Sequence, residues 1–188
     1  MNFSAVILAG GKSSRMGRDK AFLEIGGKTL LERQIRTVKN AGANEVFISG
    51  RPDADYSQFD CRVLADRFPG AGPLAGIERA LSETSSPLVL VVAVDMPGLT
   101  PEFLAGLKTH CEKNSGAITC VNGNMEPLVA YYPSGAQPLA ENKLKEGSLA
   151  MKPFAELCVK MDLARFVHFP PRDGFLFANW NHPNDTAL

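Results

Sequence analysis

Hydrophobic positions along the chain fall into two rhythms. Phe3-Ser4-Ala5-Val6-Ile7-Leu8-Ala9 is nearly continuous apolar and stops at Gly10-Gly11, the pattern of a short strand buried on both faces. Glu45 to Ser49, Cys61 to Ala65 and, most strongly, Leu88 to Val94 (LVLVVAV) repeat it. Between these runs apolar residues return at helical spacing. From Thr29 to Ala41, Leu31, Ile35 and Val38 fall at i, i+4 and i+7 on one face, and Gly42 supplies a stop. Pro73 to Glu83 predicts a helix with proline in its first turn. Pro101 to Lys113 predicts another, striped by Phe103, Leu107 and Cys111. Ala117 to Val121 and Leu128 to Tyr132 read as further strands, Ser148 to Met161 as a helix, and Phe166 to Phe169 as a late short strand.

This alternation predicts an α/β fold: a single domain, residues 1–188, with a Rossmann-like, doubly wound, mostly parallel but mixed sheet and helices on both faces. In such sheets ligands bind beyond the carboxyl ends of the strands, where the strand order switches. Polar signals placed just after strands are therefore the ones to examine. Three stand out: the loop after Ala9, the loop after Ala65, and Asp95 after Val94.

Composition narrows the function classes. Apolar residues make up 45% and charged residues 21% of 188, ordinary for a globular chain and unlike a disordered or coiled-coil one. Lys plus Arg and Asp plus Glu both number 20, so the chain lacks the global field of a nucleic-acid binder. The four cysteines, Cys61, Cys111, Cys120 and Cys158, form no CxxC pair. They read as small core residues of a reduced protein rather than zinc ligands. The apolar run at Phe3 to Ala9 is too short to span a membrane or serve as a secretory signal. A cytoplasmic protein without nucleic-acid or membrane partners is expected. His110, His168 and His182 show no catalytic spacing, and no Ser or Cys sits in a nucleophile elbow.

The chemistry-bearing segments follow the three strands. Leu8 to Lys20 reads LAGGKSSRMGRDK. Gly10 and Gly11 let the backbone approach a ligand closely, and consecutive amides there form an anion nest. Lys12, Arg15, Arg18 and Lys20 supply cations, with Arg15 able to grip phosphate at two points. This is triphosphate chemistry, and it matches neither the Walker loop nor the GxGxxG loop. The plain alternative is a strand-to-helix turn with a solvated basic patch. Asp66 to Gly76, DRFPGAGPLAG, is a tight passage into a helix, in which Asp66 is equally a cap or a ligand group. Asp95, after the strongest strand, is placed to bind Mg²⁺, although turn aspartates are common there.

LAGG-x-x-x-R-M-G-x-D-K resembles the signature of the molybdenum cofactor guanylyltransferase family of nucleotidyltransferases. FPG-x-GPLAG at Phe68 to Gly76, PLVAYY at Pro127 to Tyr132, and F-x-N-x-N-x-P-x-D at Phe177 to Asp185 are also similar to it. The resemblance implies that Leu8, Ala9, Gly10 and Gly11 contact the nucleotide, and that Asp66, Gly72, Pro73 and Leu74 lie at its base. A carboxylate at Asp66 can accept both the ring N–H and the exocyclic amine of guanine. It further implies that Arg15, Lys20 and Asp95 are catalytic, with Lys20 on the phosphates and Asp95 on Mg²⁺. Asn179 and Asn181 would meet substrate, with Asn181 and Asp185 candidates for a second metal ligand, and Lys143, Lys145 and Lys152 are candidates for the pterin.

The implied reaction joins GTP and molybdenum-bearing molybdopterin into the guanine dinucleotide cofactor and releases pyrophosphate. Transient contacts with other cofactor-biosynthesis proteins or acceptor apo-enzymes would follow from it. The chain departs from the pattern at His182 and Asn184, and at Gly50, where relatives often carry Asn and Gly cannot supply its amide. The competing readings are a cytidylyltransferase making the cytosine form, a sugar-phosphate nucleotidyltransferase, and a non-catalytic nucleotide-binding adaptor.

Overall fold

The computed structural model describes residues 1–10 and 19–178. Its main sheet has seven strands. In chain order they are β1 (Phe3–Leu8), β4 (Glu45–Ser49), β5 (Arg62–Leu64), β6 (Leu88–Ala93), β7 (Gly116–Val121), β8 (Asn124–Pro133) and β9 (Ala164–Phe169). A separate two-stranded hairpin is formed by β2 (Glu24–Ile25) and β3 (Lys28–Thr29). The spatial order is β5-β4-β1-β6-β8-β7-β9. β8 is antiparallel to both neighbours, and the other pairings are parallel. The expected mixed, mostly parallel sheet is thus present. From β1 the chain first builds outward through β4 and β5, then returns to add β6 on the other side, so the order switches between β1 and β6.

Among the described residues five helices cover the sheet: α1 (Leu30–Asn40), α2 (Pro73–Glu83), α3 (Pro101–Lys108), α4 (Gln137–Lys145) and α5 (Met151–Lys160). Side-chain alternation along the strands divides the core in two. Ala5 and Ile7 of β1 and Leu88, Leu90 and Val92 of β6 pack with Leu31, Ile35 and Val38 of α1 and Leu104 and Leu107 of α3. Val6, Val89 and Val91 face the other way, onto Leu74 and Ile77 of α2, Ala140 of α4 and Phe154 of α5. Both faces are covered, which is why the central strands read as unbroken apolar runs. Among the described residues no helix is long and apolar enough to cross a membrane.

Helix α2 occupies the predicted span, but others differ. Thr29 is the N-cap of α1 rather than its first residue, in a capping box with Glu32 at 2.7 and 3.1 Å. α3 stops at Lys108 instead of Lys113, its half-buried Cys111 lying in the turns that follow. α5 starts at Met151 because Ala150 is extended. β7 and β8 are joined as one long hairpin through Asn122 and Gly123, at φ 52° and 74°. An Asn-Gly pair suits such a turn because both positions need positive φ. α4, a short helix with proline in its first turn, falls where no helix was predicted.

Candidate functional site

Four parallel strands end level. Leu8 is paired with Ser49 and with Ala93, and Ser49 with Leu64. The residues that follow leave the sheet together. Ala9 N–H donates to the Ser49 carbonyl at 2.8 Å, and Val94 N–H donates to the Leu8 carbonyl at 3.2 Å. Gly10, Gly50, Asp66 and Asp95 consequently line one edge at the switch between β1 and β6. Asp66 follows β5 and Asp95 follows β6, three inter-strand spacings apart, or about 14 Å.

Lys20 brings a cation to this edge. Its ammonium donates to Asp95 Oδ2 at 3.1 Å, with both side chains about a quarter exposed (23% and 25%). Lys20 opens a short 3₁₀ turn, Lys20–Phe22, whose N-cap Asp19 accepts from Ala21 N–H at 3.0 Å. The other Asp19 oxygen, Oδ2, accepts from the Tyr56 hydroxyl at 3.2 Å, and that hydroxyl accepts from Arg51 N–H at 3.0 Å. Burial pushes the Tyr56 phenol up to about 12, which keeps its proton available to Asp19. Phe22 stacks on Tyr56 at 5.6 Å. A Cβ at Gly50 would lie 2.4 Å from the Tyr56 ring. The space a larger residue would need at position 50 is filled by an aromatic that ties the β4 exit to the segment carrying Lys20.

Asp95 is held from below. Gln34, buried on α1, donates through Nε2 to the carbonyls of Met96 at 2.6 Å and Ala93 at 3.3 Å. Gln34 and Tyr56 were not singled out in the sequence, although Gln34 could have been noticed as an amide on an otherwise apolar helix face. Gly98, a few residues on, lies against the main chain of Leu176, where a Cβ would come within 3.2 Å.

At the other end of the edge, Asp66 Oδ1 is buried and has no hydrogen-bond partner among the described residues. Burial, and secondarily the charge of Glu78, raise its carboxyl above the ordinary 3.8. Glu78 is itself fully buried on α2, accepting from Arg67 and from Gln137 Nε2 at 2.7 Å. α2 comes close to the strand ends because Gly76 has no side chain. A Cβ there would come within 3 Å of the Ser49 and Leu8 side chains. Gly72 and Pro73 are exposed at the start of α2. The Leu74 side chain is fully buried in the core, so its main chain alone is left to meet a ligand.

Of the predicted site residues, the fold brings Leu8, Ala9, Gly10, Lys20, Asp66, Gly72, Pro73 and Asp95 to the same edge or the loops leaving it. Gly11, Arg15, Asn179 and Asn181 lie outside the described residues, as does Asp185. Lys143 and Lys145 are paired within α4, with Glu146 at 2.6 Å and Glu141 at 2.7 Å, whereas Lys152 stands at the first turn of α5. Among the described residues, no three His, Cys, Asp or Glu gather as a metal cage. Mg²⁺ takes one or two carboxylates and fills its remaining positions with water and phosphate oxygens. Asp95, about a quarter exposed at a strand end, is a donor of that kind.

Comparison with known proteins bears on this geometry. Residues 5–157 match the family described as the MobA-like NTP transferase domain. A protein of Opitutus terrae named a probable molybdenum cofactor guanylyltransferase is 38% identical over 97% of this chain and 92% of its own length. One of the same name from Carboxydothermus hydrogenoformans is 34% identical over 98% of this chain and 93% of its own. The crystal structure of molybdopterin-guanine dinucleotide biosynthesis protein A from Archaeoglobus fulgidus superposes with a TM-score of 0.72 at 25% identity, covering 97% of this chain and 94% of that one.

The buried Asp66 carboxylate, whose Oδ1 has no partner among the described residues, costs stability in the ligand-free protein. Its folded value is raised above 3.8, so the cost appears as pH rises through and above that value and is absent in more acid solution, where both states are protonated. Asp66→Asn is expected to raise the thermal midpoint of the free protein at pH 7, with the gain vanishing below about pH 4. A lowered midpoint at neutral pH would show that the carboxylate has a partner in the free protein.

Proposed function

The chain belongs to the MobA-like NTP transferase domain family, and on that premise we propose that it is a cytoplasmic, single-domain guanylyltransferase that transfers GMP from GTP to molybdenum-bearing molybdopterin. One observation carries this reading: a Lys20–Asp95 pair and Asp66, whose buried Oδ1 has no hydrogen-bond partner among the described residues, lie on one strand-end edge, about 14 Å apart. That separation suits a nucleotide laid along the edge, base on Asp66 and phosphates at Lys20 and Asp95.

In the reaction a terminal phosphate oxygen of the pterin attacks the α-phosphorus of GTP in line. The bond from the α-phosphorus to its bridging oxygen breaks, and pyrophosphate leaves with that electron pair. The attacking phosphate is already ionised at neutral pH, so the protein needs no strong base. Its work is positioning and charge neutralisation. Lys20 offsets charge gathering on the leaving pyrophosphate, and Arg15 adds a second, two-pointed grip. The Gly10–Gly11 backbone lets the phosphates approach closely, with Leu8 and Ala9 beneath the nucleotide and Gly72, Pro73 and the Leu74 main chain beside the base. Asn179 and Asn181 complete the substrate contacts.

Asp95 is the residue that would hold Mg²⁺, which when bound neutralises phosphate oxygens and orients the α-phosphoryl group. Tyr56 and Asp19 keep Lys20 facing Asp95, and Gln34 keeps Asp95 at the edge. Guanine offers a carboxylate two adjacent N–H donors, whereas cytosine sets a ring acceptor beside its amine. Asp66 therefore favours the guanylyl over the cytidylyl reading. Transfer of the finished cofactor to acceptor apo-enzymes, or contact with other cofactor-biosynthesis proteins, would follow on this step.

The first test is thermal stability with GTP, CTP, ATP and UTP, each with and without Mg²⁺. A ligand at 100 times its Kd adds about 2.7 kcal/mol, roughly 5–11 °C for a chain of this size. GTP is expected to give that shift and CTP little of it; a CTP-selective shift would reassign the activity to the cytosine form. The second test is Asp95→Asn, expected to cut pyrophosphate release from GTP and molybdopterin by at least about 10²-fold with an unchanged far-ultraviolet circular dichroism spectrum. Turnover near the wild-type level would remove Asp95 from the reaction.

A further inference from the structure

Helix α2 carries an acid on the face that packs into the core. Glu78 lies at helical spacing from Leu74 and Leu81 and is fully buried with them. Arg67 grips its carboxylate with two nitrogens: Nη2 donates to Oε1, and Nε donates to Oε2 at 3.4 Å. Gln137 Nε2, at the start of α4, donates to Oε1 at 2.7 Å and also to Glu141 Oε2 at 3.1 Å. Such a buried pair is a weak source of stability, because desolvation of the acid offsets its attraction to the cation. An apolar residue packed in its place does as well or better. What the acid determines is where Arg67 points.

Arg67 follows Asp66 directly in the loop from β5 to α2. Asp66 is half-buried, and its Oδ1 has no hydrogen-bond partner among the described residues. A guanidinium tethered beside such a carboxylate is matched in shape and charge to close on it. Here it is turned to Glu78 instead. The carboxylates that act on the Arg67 charge are Glu78, Glu141 and Glu83. The charge that acts on Asp66, after burial itself, is that of Glu78. Asp66 thus keeps its acceptor capacity beside a cation that is committed elsewhere.

Resting on the guanylyl-transfer reading above, we propose that Glu78 is a positioning residue for base recognition: it holds the Arg67 guanidinium against α2, away from Asp66, and so leaves the Asp66 carboxylate for the ring N–H and exocyclic amine of guanine. Glu78 touches no substrate and acts through Arg67. Its charge adds to the cost of the Asp66 carboxylate in the free protein, a cost that two N–H donors offset on binding. Gln137 and Glu141 bring α4 into the same arrangement.

The first arm of the test needs no nucleotide. Thermal midpoints at pH 7 are compared with and without Asp66→Asn in the wild type, in Glu78→Gln, and in Glu78→Gln with Arg67→Ala. The gain expected from Asp66→Asn in the wild type should vanish or reverse in Glu78→Gln, where the released Arg67 pairs with Asp66. With Arg67 also removed, the larger part of the gain should return, because burial is the main cause of the Asp66 cost. The second arm is titration calorimetry with Mg²⁺. Glu78→Gln should weaken GTP by about fivefold or more and narrow its advantage over inosine triphosphate, which lacks the exocyclic amine, while pyrophosphate binds as before. Adding Arg67→Ala should restore GTP affinity; a merely structural role for Glu78 would leave the double variant at least as weak as the single one. Glu78→Leu, which suits the apolar face of α2, also releases Arg67 and carries the test if Glu78→Gln does not fold. An Asp66→Asn gain that survives in Glu78→Gln, GTP affinity that Glu78→Gln leaves unchanged, or a loss that Arg67→Ala does not recover would overturn the proposal. The ligand-free pattern in a wild type that shows no response to GTP would instead overturn the guanylyl-transfer reading and leave the Arg67 arrangement standing.

Discussion

Leu64, Ser49, Leu8 and Ala93 stand in one row across four parallel strands, held there by ladder hydrogen bonds. Because the strands end level, the residues just beyond them share an edge, at distances set by strand spacing rather than by loop conformation. The row continues for one step past the sheet through Ala9 to Ser49 and Val94 to Leu8. Asp66 and Asp95 are thus placed relative to each other by the hydrogen-bonded sheet. The Lys20–Asp95 pair adds little to stability, since ion pairs this open to water are worth about 0–1 kcal/mol. Its consequence is positional: a cation and an acid are held together at the switch in strand order.

The supports of that pair come from elements distant in sequence. Gln34 on α1 binds the carbonyls on either side of Asp95. Tyr56 fills the space over Gly50 and reaches Asp19, the residue before Lys20. Gly76 lets α2 lie against Ser49 and Leu8, which places the start of that helix next to Asp66. Each of these contacts is made by a buried or nearly buried group whose loss would loosen the edge without touching a substrate. They are the structural cost of holding two charged groups at a half-exposed rim.

Much of this was legible in the residue order, and for physical reasons. β1 and β6 are buried on both faces, so their apolar runs were unmistakable, and the polar residues just after them had to be at the edge. α2 announced itself through Pro73 and its apolar stripe. The β7–β8 hairpin was read as two separate strands because the start of β8 carries exposed and half-buried residues, Asn124 to Glu126. The Asn122-Gly123 pair was the signal that joins them. α4 has a weak stripe and no side-chain cap, so little local pattern marks it. Gln34 and Tyr56 were invisible as site residues, since their importance arises from partners 59 and 37 positions away that only the folded sheet brings near. Gly50 looked like a lost ligand contact, and the structure shows instead what occupies its place.

The central claim is that the level strand ends form a ruler on which the nucleotide lies. The most direct measurement is a crystal structure of the chain with Mg²⁺ and a non-hydrolysable GTP analogue. The account predicts the guanine edge on Asp66 and the α-phosphate between Lys20 and Asp95, on the β1 side of β6. A guanine bound away from Asp66, on the β8 side of β6, or phosphates remote from Asp95, would contradict it.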